Sequence, residues 1–229
     1  MSVGKARQGY KLVKFLFRKH EEIPEEWEIT KLGELIKEKP KYGASVSAIQ
    51  YDPKKPRYVR ITDLNDDGTL REGDKRSIAT KDAQGVLLQE GSILFARTGA
   101  TVGKTYVYKN EHGKCAFAGY LIRFIPNPEK LDIDFLFYYT HSHNYHRWLL
   151  SNYTEGVQPN VNAEQYSNML IILPTFEEQQ KITSILSNVD AQIQQTKKLF
   201  DLTQRLKKGL MQELLTRGIG HTKFKKVLC

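Results

Sequence analysis

The segment Gly99-Ala-Thr-Val-Gly103-Lys104-Thr105 follows an apolar run, Ser92–Ala96, and carries the parts of a phosphate-binding turn: glycines, a lysine and a hydroxyl. A Walker loop needs four residues between its glycines, whereas this one has three, and Thr98 stands where glycine is required. No strand ending in aspartate offers to hold magnesium. A tight turn between two strands, with glycine supplying unusual backbone angles, is the plainer expectation. His141, His143 and His146 also cluster, but only 143/146 has the spacing that puts two ligands on one helix face. That pattern suits a solvated or partly buried helix face. Asn127-Pro-Glu129 is not the Asn/Asp-Pro-Pro-aromatic loop of adenine methyl transfer, and no G-x-G-x-x-G occurs. Asp52-Pro-Lys54 is the nearest approach to a metal-dependent nuclease motif, in a Pro- and Lys-rich stretch that reads as loop. Cys115 and Cys229 have no metal-ligand spacing and do not suggest a disulfide scaffold. Catalytic chemistry is therefore not expected, although a stand-alone P-loop nucleotidase or small nuclease is the alternative to keep.

Basic side chains among hydrogen-bonding and aromatic ones remain. Lys54, Lys55, Arg57 and Arg60 form one group, Arg71, Lys75, Arg76 and Lys81 a second, and Arg97, Lys104 and Lys109 a third. Over 229 residues, 35 Lys and Arg stand against 26 Asp and Glu, a formal charge of +9. That excess favours a polyanionic partner, nucleic acid or an anionic membrane surface. No run approaches the ~20 apolar residues of a membrane-spanning helix, and the basic N-terminus lacks the apolar core and cleavage site of a signal peptide. A cytoplasmic protein with no membrane partner is expected, and the collective charge points to double-stranded DNA. Lys and Arg neutralise phosphates, while Arg, Asn and Gln at groove edges can read bases. Any single lysine could equally be ordinary solvated surface.

Two kinds of element must position these groups. From Trp27 to about Pro174 short strand-like runs alternate with turn signals: Arg57–Ile61 before Asn65-Asp-Asp-Gly68, then Ser92–Ala96, Thr105–Tyr108, Tyr120–Ile125 and Met169–Leu173. One helix is predicted among them, from Asp134 to Leu150. Many strands with few helices make an α+β domain. After Pro174 the pattern changes. Thr175 is a plausible N-cap, with Glu177 and Glu178 in the first turn. Apolar residues then recur in steps of three and four, at Ile182, Ile185, Leu186, Val189, Ile193, Leu199, Phe200, Leu202, Leu206, Leu210 and Leu214. A stripe over roughly forty residues, ~60 Å of helix, cannot fold back on a small domain along its length. It calls for a partner helix in a coiled coil, interrupted at Thr196 and Thr203. Gly218 and Gly220 stop the helix, and His221–Lys226 is a basic tail.

Three stretches resemble one family. Ile23-Pro-Glu-Glu-Trp27-Glu resembles the opening of a target recognition domain in type I restriction–modification specificity subunits. Ser92-Ile-Leu-Phe-Ala-Arg97-Thr-Gly99-Ala-Thr-Val-Gly103-Lys is similar to its mid-domain signature. Gly156-Val-Gln158-Pro-Asn160-Val-Asn162, running on through Ile172-Leu-Pro174-Thr-Phe-Glu-Glu178-Gln179-Gln-Lys-Ile182, resembles its junction with the conserved helix. The resemblance implies a basic segment (1–20), a DNA-binding target recognition domain (21–174), a long coiled-coil helix (175–216) for spacing and dimerisation, and a basic tail (217–229). It implies a non-catalytic subunit that recognises one half of a bipartite site and docks modification (methyltransferase) subunits, and in some assemblies a restriction subunit. No cofactor is expected on this chain, since S-adenosylmethionine, ATP and magnesium would belong to those partners. The candidate DNA-binding residues are Lys54, Arg57, Arg60, Lys75, Arg76, Lys81, Arg97, Thr98, Lys104, Gln158 and Asn160. The candidate partner-helix residues are Ile182, Leu186, Val189, Ile193, Phe200, Leu206 and Leu210. Family members usually carry two recognition domains and two helices in tandem, and here there is one of each. Either a half-subunit, working as an antiparallel homodimer, or the first half of a tandem protein fits that pattern.

Overall fold

The computed structural model describes residues 6–14, 20–152, 158–220 and 223. Of the stretches singled out above, Lys5, Arg18 and Lys19 of the N-terminal segment, Gly156 and Val157, and most of the His221–Lys226 tail lie outside them. In chain order the strands are β1 (Tyr10–Lys14), β2 (His20–Pro24), β3 (Glu28–Lys31), β4 (Lys41–Tyr42), β5 (Ile49–Gln50), β6 (Arg57–Val59), β7 (Arg76–Ser77), β8 (Ile93–Ala96), β9 (Thr105–Val107), β10 (Cys115–Phe117), β11 (Leu121–Phe124) and β12 (Leu170–Leu173). The helices are α1 (Ile133–Tyr139), α2 (His143–Ser151), α3 (Ala163–Ser167) and α4 (Phe176–Arg217). The chain divides into two compact units, Met1–Thr183 and Ser184–Cys229. The boundary falls inside α4, so the first turns of that helix belong to the first unit.

Strand β8 is the centre of the first unit. Its sequence Ile-Leu-Phe-Ala is apolar at every position because both of its faces are covered. It lies in an antiparallel sheet of order β4-β11-β8-β9, with Phe95 opposite Ile122 and Leu94 opposite Tyr106. Ile93 and Phe95, with Ile122 and Phe124, face a core built from α1, α2 and α3: Phe135, Leu136, Tyr145, Trp148, Leu149 and Tyr166. Leu94, Ala96, Tyr106 and Leu121 pack on the opposite side against Val59, Leu64, Leu88, Cys115 and Phe117. That second layer contains the sheet β10-β6-β7-β5, in which β6 and β10 are parallel. The result is the expected α+β architecture, with helices on one face of the central sheet and a second sheet on the other. Two further ribbons, β1-β2 and β3-β12, share a small apolar cluster built on Ile23 and Ile172.

The predicted strands appear within a residue or two, except that Arg57–Ile61 is strand only to Val59 and turns into a 3-10 segment, Ile61–Asp63. The single helix expected over 134–150 is two. Asp132 caps α1 by accepting the Phe135 N–H at 2.8 Å, and Ser142 starts α2 with an extended backbone and a side chain that accepts from Tyr145 N–H. Between them Thr140 is buried, and its hydroxyl meets that of Thr105 on β9 at 2.7 Å. The Ser142 cap makes the break, and the Thr140 contact ties it to the central sheet.

Helix α4 follows the expected bounds. Thr175 Oγ1 accepts from Glu178 N–H, and Gly218, at φ +68, ends the helix with its N–H on Leu214 O. Ile182, counted in the stripe above, packs instead on the core of the first unit. In the second unit Leu186, Val189, Ile193, Phe200, Leu206 and Leu210 are each at least 38% exposed, an apolar surface of the kind that marks an interface.

Candidate nucleic-acid interface

At the C-terminal end of β8 the chain passes into Arg97 and Thr98. Two backbone hydrogen bonds, Gly99 N–H to Pro159 O (3.1 Å) and Val161 N–H to Arg97 O (2.8 Å), bridge Thr98 to Asn160 and bind this exit to the segment 158–161. On the other side Arg97 N–H donates to Tyr120 O, at the start of β11. The Arg97 guanidinium lies over the ring of Tyr42, 5.1 Å from its centroid, and its Nε donates to Asn160 Oδ1 at 3.4 Å. Gln158 lies beside Gly99. The structure therefore gathers four residues of the candidate set, Arg97, Thr98, Gln158 and Asn160, on one surface, and adds two that sequence reasoning missed. Tyr42 is 43% exposed and Tyr120 61%. A guanidinium, carboxamides and open aromatic rings are the groups that read base edges and stack on bases. The only sequence signal for Tyr42 was an aromatic next to lysine before a glycine, too common to single out.

This surface is anchored to the core. Tyr42 pairs with Ile122 in the central sheet, and its hydroxyl accepts from Ala163 N–H at 3.1 Å. Gly43 follows it where a side chain cannot fit, since a Cβ there would sit 2.2 Å from Phe117 O.

The other candidate cations are held differently. Arg57 is paired with Glu72 (2.8 Å) and donates to Arg71 O. Lys75 shares Glu72. Arg60 bonds Asp63 at 2.6 Å and Asp74 at 3.2 Å, and Arg76 also reaches Asp74. Hydrogen bonds from Lys75 and Arg57 hold the Glu72 carboxyl below the usual carboxylate range, and the Arg60 hydrogen bond does the same for Asp74. Four cations are thus interleaved with three carboxylates, Asp63, Glu72 and Asp74, which leaves little unbalanced charge. Lys54 and Lys81 are exposed, apart from these clusters.

The glycine turn is engaged with itself. Gly99–Thr101 is a 3-10 turn, and both glycines take left-handed angles, φ +71 and +87. The N–H groups of Gly99, Val102, Gly103 and Lys104 are bound to Pro159, Gly99, Ala96 and Thr101 carbonyls, and Lys104 Nζ is 2.7 Å from Asp66. Those donors cannot cradle a phosphate, which disfavours the nucleotidase alternative. A cleft of about 490 Å³ beside the turn is lined in part by Asp66, Lys104, Thr140, His141 and His146. His141 has Nδ1 2.8 Å from Phe137 O and Nε2 3.2 Å from Asp66 O, so both ring nitrogens face backbone carbonyls. His143 and His146 are exposed on α2. Among the described residues no group of three His, Cys, Asp or Glu is arranged to hold a metal ion.

Comparison with known proteins decides which family this arrangement represents. Residues 24–204 match the family described as type I restriction modification DNA specificity domain. The chain belongs to that family. The type I restriction enzyme MjaVIII specificity subunit of Methanocaldococcus jannaschii is 27% identical over 210 residues, 89% of this chain and 45% of that protein. This type I specificity domain chain spans about half the length of the relatives it matches. Its fold is shared with the HsdS subunit from Thermoanaerobacter tengcongensis (TM-score 0.57, 19% identity, 90% of this chain and 52% of that one). It is also shared with a chain in a structure concerned with complex assembly and conformational transition of the type I R-M system (TM-score 0.61, 21% identity, 86% and 47%). No helix among the described residues is long and apolar enough to cross a membrane.

Proposed function

We propose that this chain is a non-catalytic DNA specificity subunit, whose domain over residues 21–174 recognises one half of a bipartite duplex site. The observation that carries the reading is the surface at the end of β8. There Arg97, whose guanidinium has no carboxylate partner among the described residues, stands with Asn160, Gln158, Tyr42 and Tyr120 at the edge of the central sheet. Family membership supports it. The exposed apolar stripe of α4 supports a pairing role: two such units joined antiparallel place one recognition domain at each end, and identical units would read identical, inverted half-sites. Modification subunits dock on this assembly in the cytoplasm and supply S-adenosylmethionine and methyl transfer. A restriction subunit, where present, supplies ATP- and magnesium-dependent steps.

The test is duplex binding by the chain assembled with its modification subunit, titrated against salt. A linear fall of log affinity against log salt concentration, together with preference for one split sequence, is the expected result. Absent or salt-independent binding refutes the proposal. ATP turnover or magnesium-dependent cleavage by the isolated chain would favour the enzyme alternative.

A further inference from the structure

We propose that Arg97 reads a guanine in the major groove of the half-site, and that Tyr42 is the positioning residue that sets the plane of its guanidinium. The inference rests on the DNA-recognition reading above and deepens it.

The arginines at 57, 60, 76 and 123 each lie on a carboxylate, at 2.8, 2.6, 2.9 and 2.5 Å. Arg97 is held instead by an aromatic face and a carboxamide. Its Nε is taken up by Asn160 Oδ1, whereas Nη1 and Nη2 make no hydrogen bond among the described residues. An arginine anchored in this way presents a fork of two donors whose plane is fixed in advance. Its supports are fixed too: Tyr42 by the sheet and the Ala163 N–H, Asn160 by the backbone links to Thr98 and its neighbours.

The chemistry of the fork selects its ligand. Asn160 turns its carbonyl oxygen toward Arg97, and the donors left over, on the guanidinium and on the Asn160 amide, favour a ligand rich in acceptors. In the major groove, guanine alone presents two acceptors side by side, O6 and N7; adenine sets an amino donor beside N7, cytosine presents a donor, and thymine one acceptor and a methyl group. A phosphate also accepts such a fork, but it makes no use of the carboxamides and open aromatic rings beside it, which suit a base.

The test uses the chain assembled with its modification subunit, on duplexes containing the site mapped from methylated host DNA. Each guanine is replaced in turn by 7-deazaguanine, which removes N7 and leaves pairing intact. Wild-type complex should show one position at which this replacement lowers affinity by roughly 5- to 150-fold, the range of a bidentate base contact. Arg97→Ala and Arg97→Lys should abolish that discrimination while binding to non-cognate DNA is retained, and Arg97→Lys guards against a folding defect. Tyr42→Leu should lose much of the discrimination with the salt slope unchanged, and Tyr42→Phe, which keeps the ring, should restore it. If Arg97→Ala weakens cognate and non-cognate duplexes equally and reduces the salt slope by about one, the residue contacts phosphate and the proposal fails. It fails equally if Arg97→Ala changes nothing. Failure of the wild-type complex to bind DNA refutes the DNA-recognition reading itself, a distinct outcome.

Discussion

Gln179 is a buried latch between α4 and the domain, and its removal tests whether the first turns of the helix are structurally part of that domain. The side chain is 1% exposed and fully engaged. Its Oε1 accepts from Asp132 N–H at 2.9 Å, and its Nε2 donates to Lys130 O at 3.2 Å and Pro174 O at 3.1 Å. Thr183, one turn on, adds a bond to Asp132 Oδ1. Gln179→Met preserves length and volume and removes all three bonds. At about 1 kcal/mol net for each bond, with about 1–3 kcal/mol more for the stranded Asp132 N–H, the loss is about 4–6 kcal/mol. The extra apolar surface of methionine returns about 1 kcal/mol, so a net destabilisation of about 3–5 kcal/mol is expected. For a unit of this size each kcal/mol lowers Tm by about 2–4 °C. Gln179→Glu keeps the acceptor but aims a carboxylate at two carbonyls. Burial raises the pKa of that new carboxyl, so its stability should improve as pH falls, when the protonated acid can donate to one of the carbonyls. Urea melts followed by tryptophan fluorescence are suited to the measurement, because Trp27 Nε1 donates to Glu178 Oε2 at 2.7 Å in the same junction. A Gln179→Met chain within about 0.5 kcal/mol of wild type would show that the latch adds nothing and that the helix root is independent of the domain.

Gly103→Ala should destabilise the domain by about 2–5 kcal/mol, from a left-handed backbone and overpacking together. At φ +87 its new Cβ would lie 2.2 Å from Leu149 Cδ2, in the buried core, and thermal denaturation reads the effect. Burial pushes the Cys115 thiol up to about 11, which keeps it protonated at pH 8. In a Cys229→Ser background it should resist a thiol reagent until denaturant opens the fold; rapid labelling of folded protein would contradict this packing. Val189→Asp and Ile193→Asp place charge in the exposed stripe of α4. Sedimentation should show loss of self-association or partner assembly with the circular dichroism of the domain unchanged, and normal assembly would show that the stripe is not the seam.

Elements governed by their own residues were legible from the sequence. Helix α4 could be read to within a residue because an N-cap, a helix-compatible stretch and a terminating glycine act locally, each over a turn or so. Strand β8 announced itself because burial on both faces leaves no polar position. The glycine turn after it was likewise readable, since left-handed angles at Gly99 and Gly103 are a property of glycine itself. The two-residue strands β4, β5 and β7 were not legible, for they have too few residues to show a period and exist only through their partners. The break between α1 and α2 does carry a local signal, the Ser142 cap, which a reading by apolar period passes over. Charge was visible in the composition, but not its pairing. Arg60 with Asp63, Lys75 with Glu72 and Arg76 with Asp74 pair within three positions, whereas folding brought Arg57 to Glu72 and Arg60 to Asp74 and left Arg97 without a carboxylate among the described residues. Arg97 and Asn160, 63 positions apart, meet because β8 and the segment before α3 pack side by side, and Tyr42 joins them because β4 lies on the far side of β11. Local propensity reaches a few residues, whereas a surface assembled from three distant segments is decided by how the whole core closes.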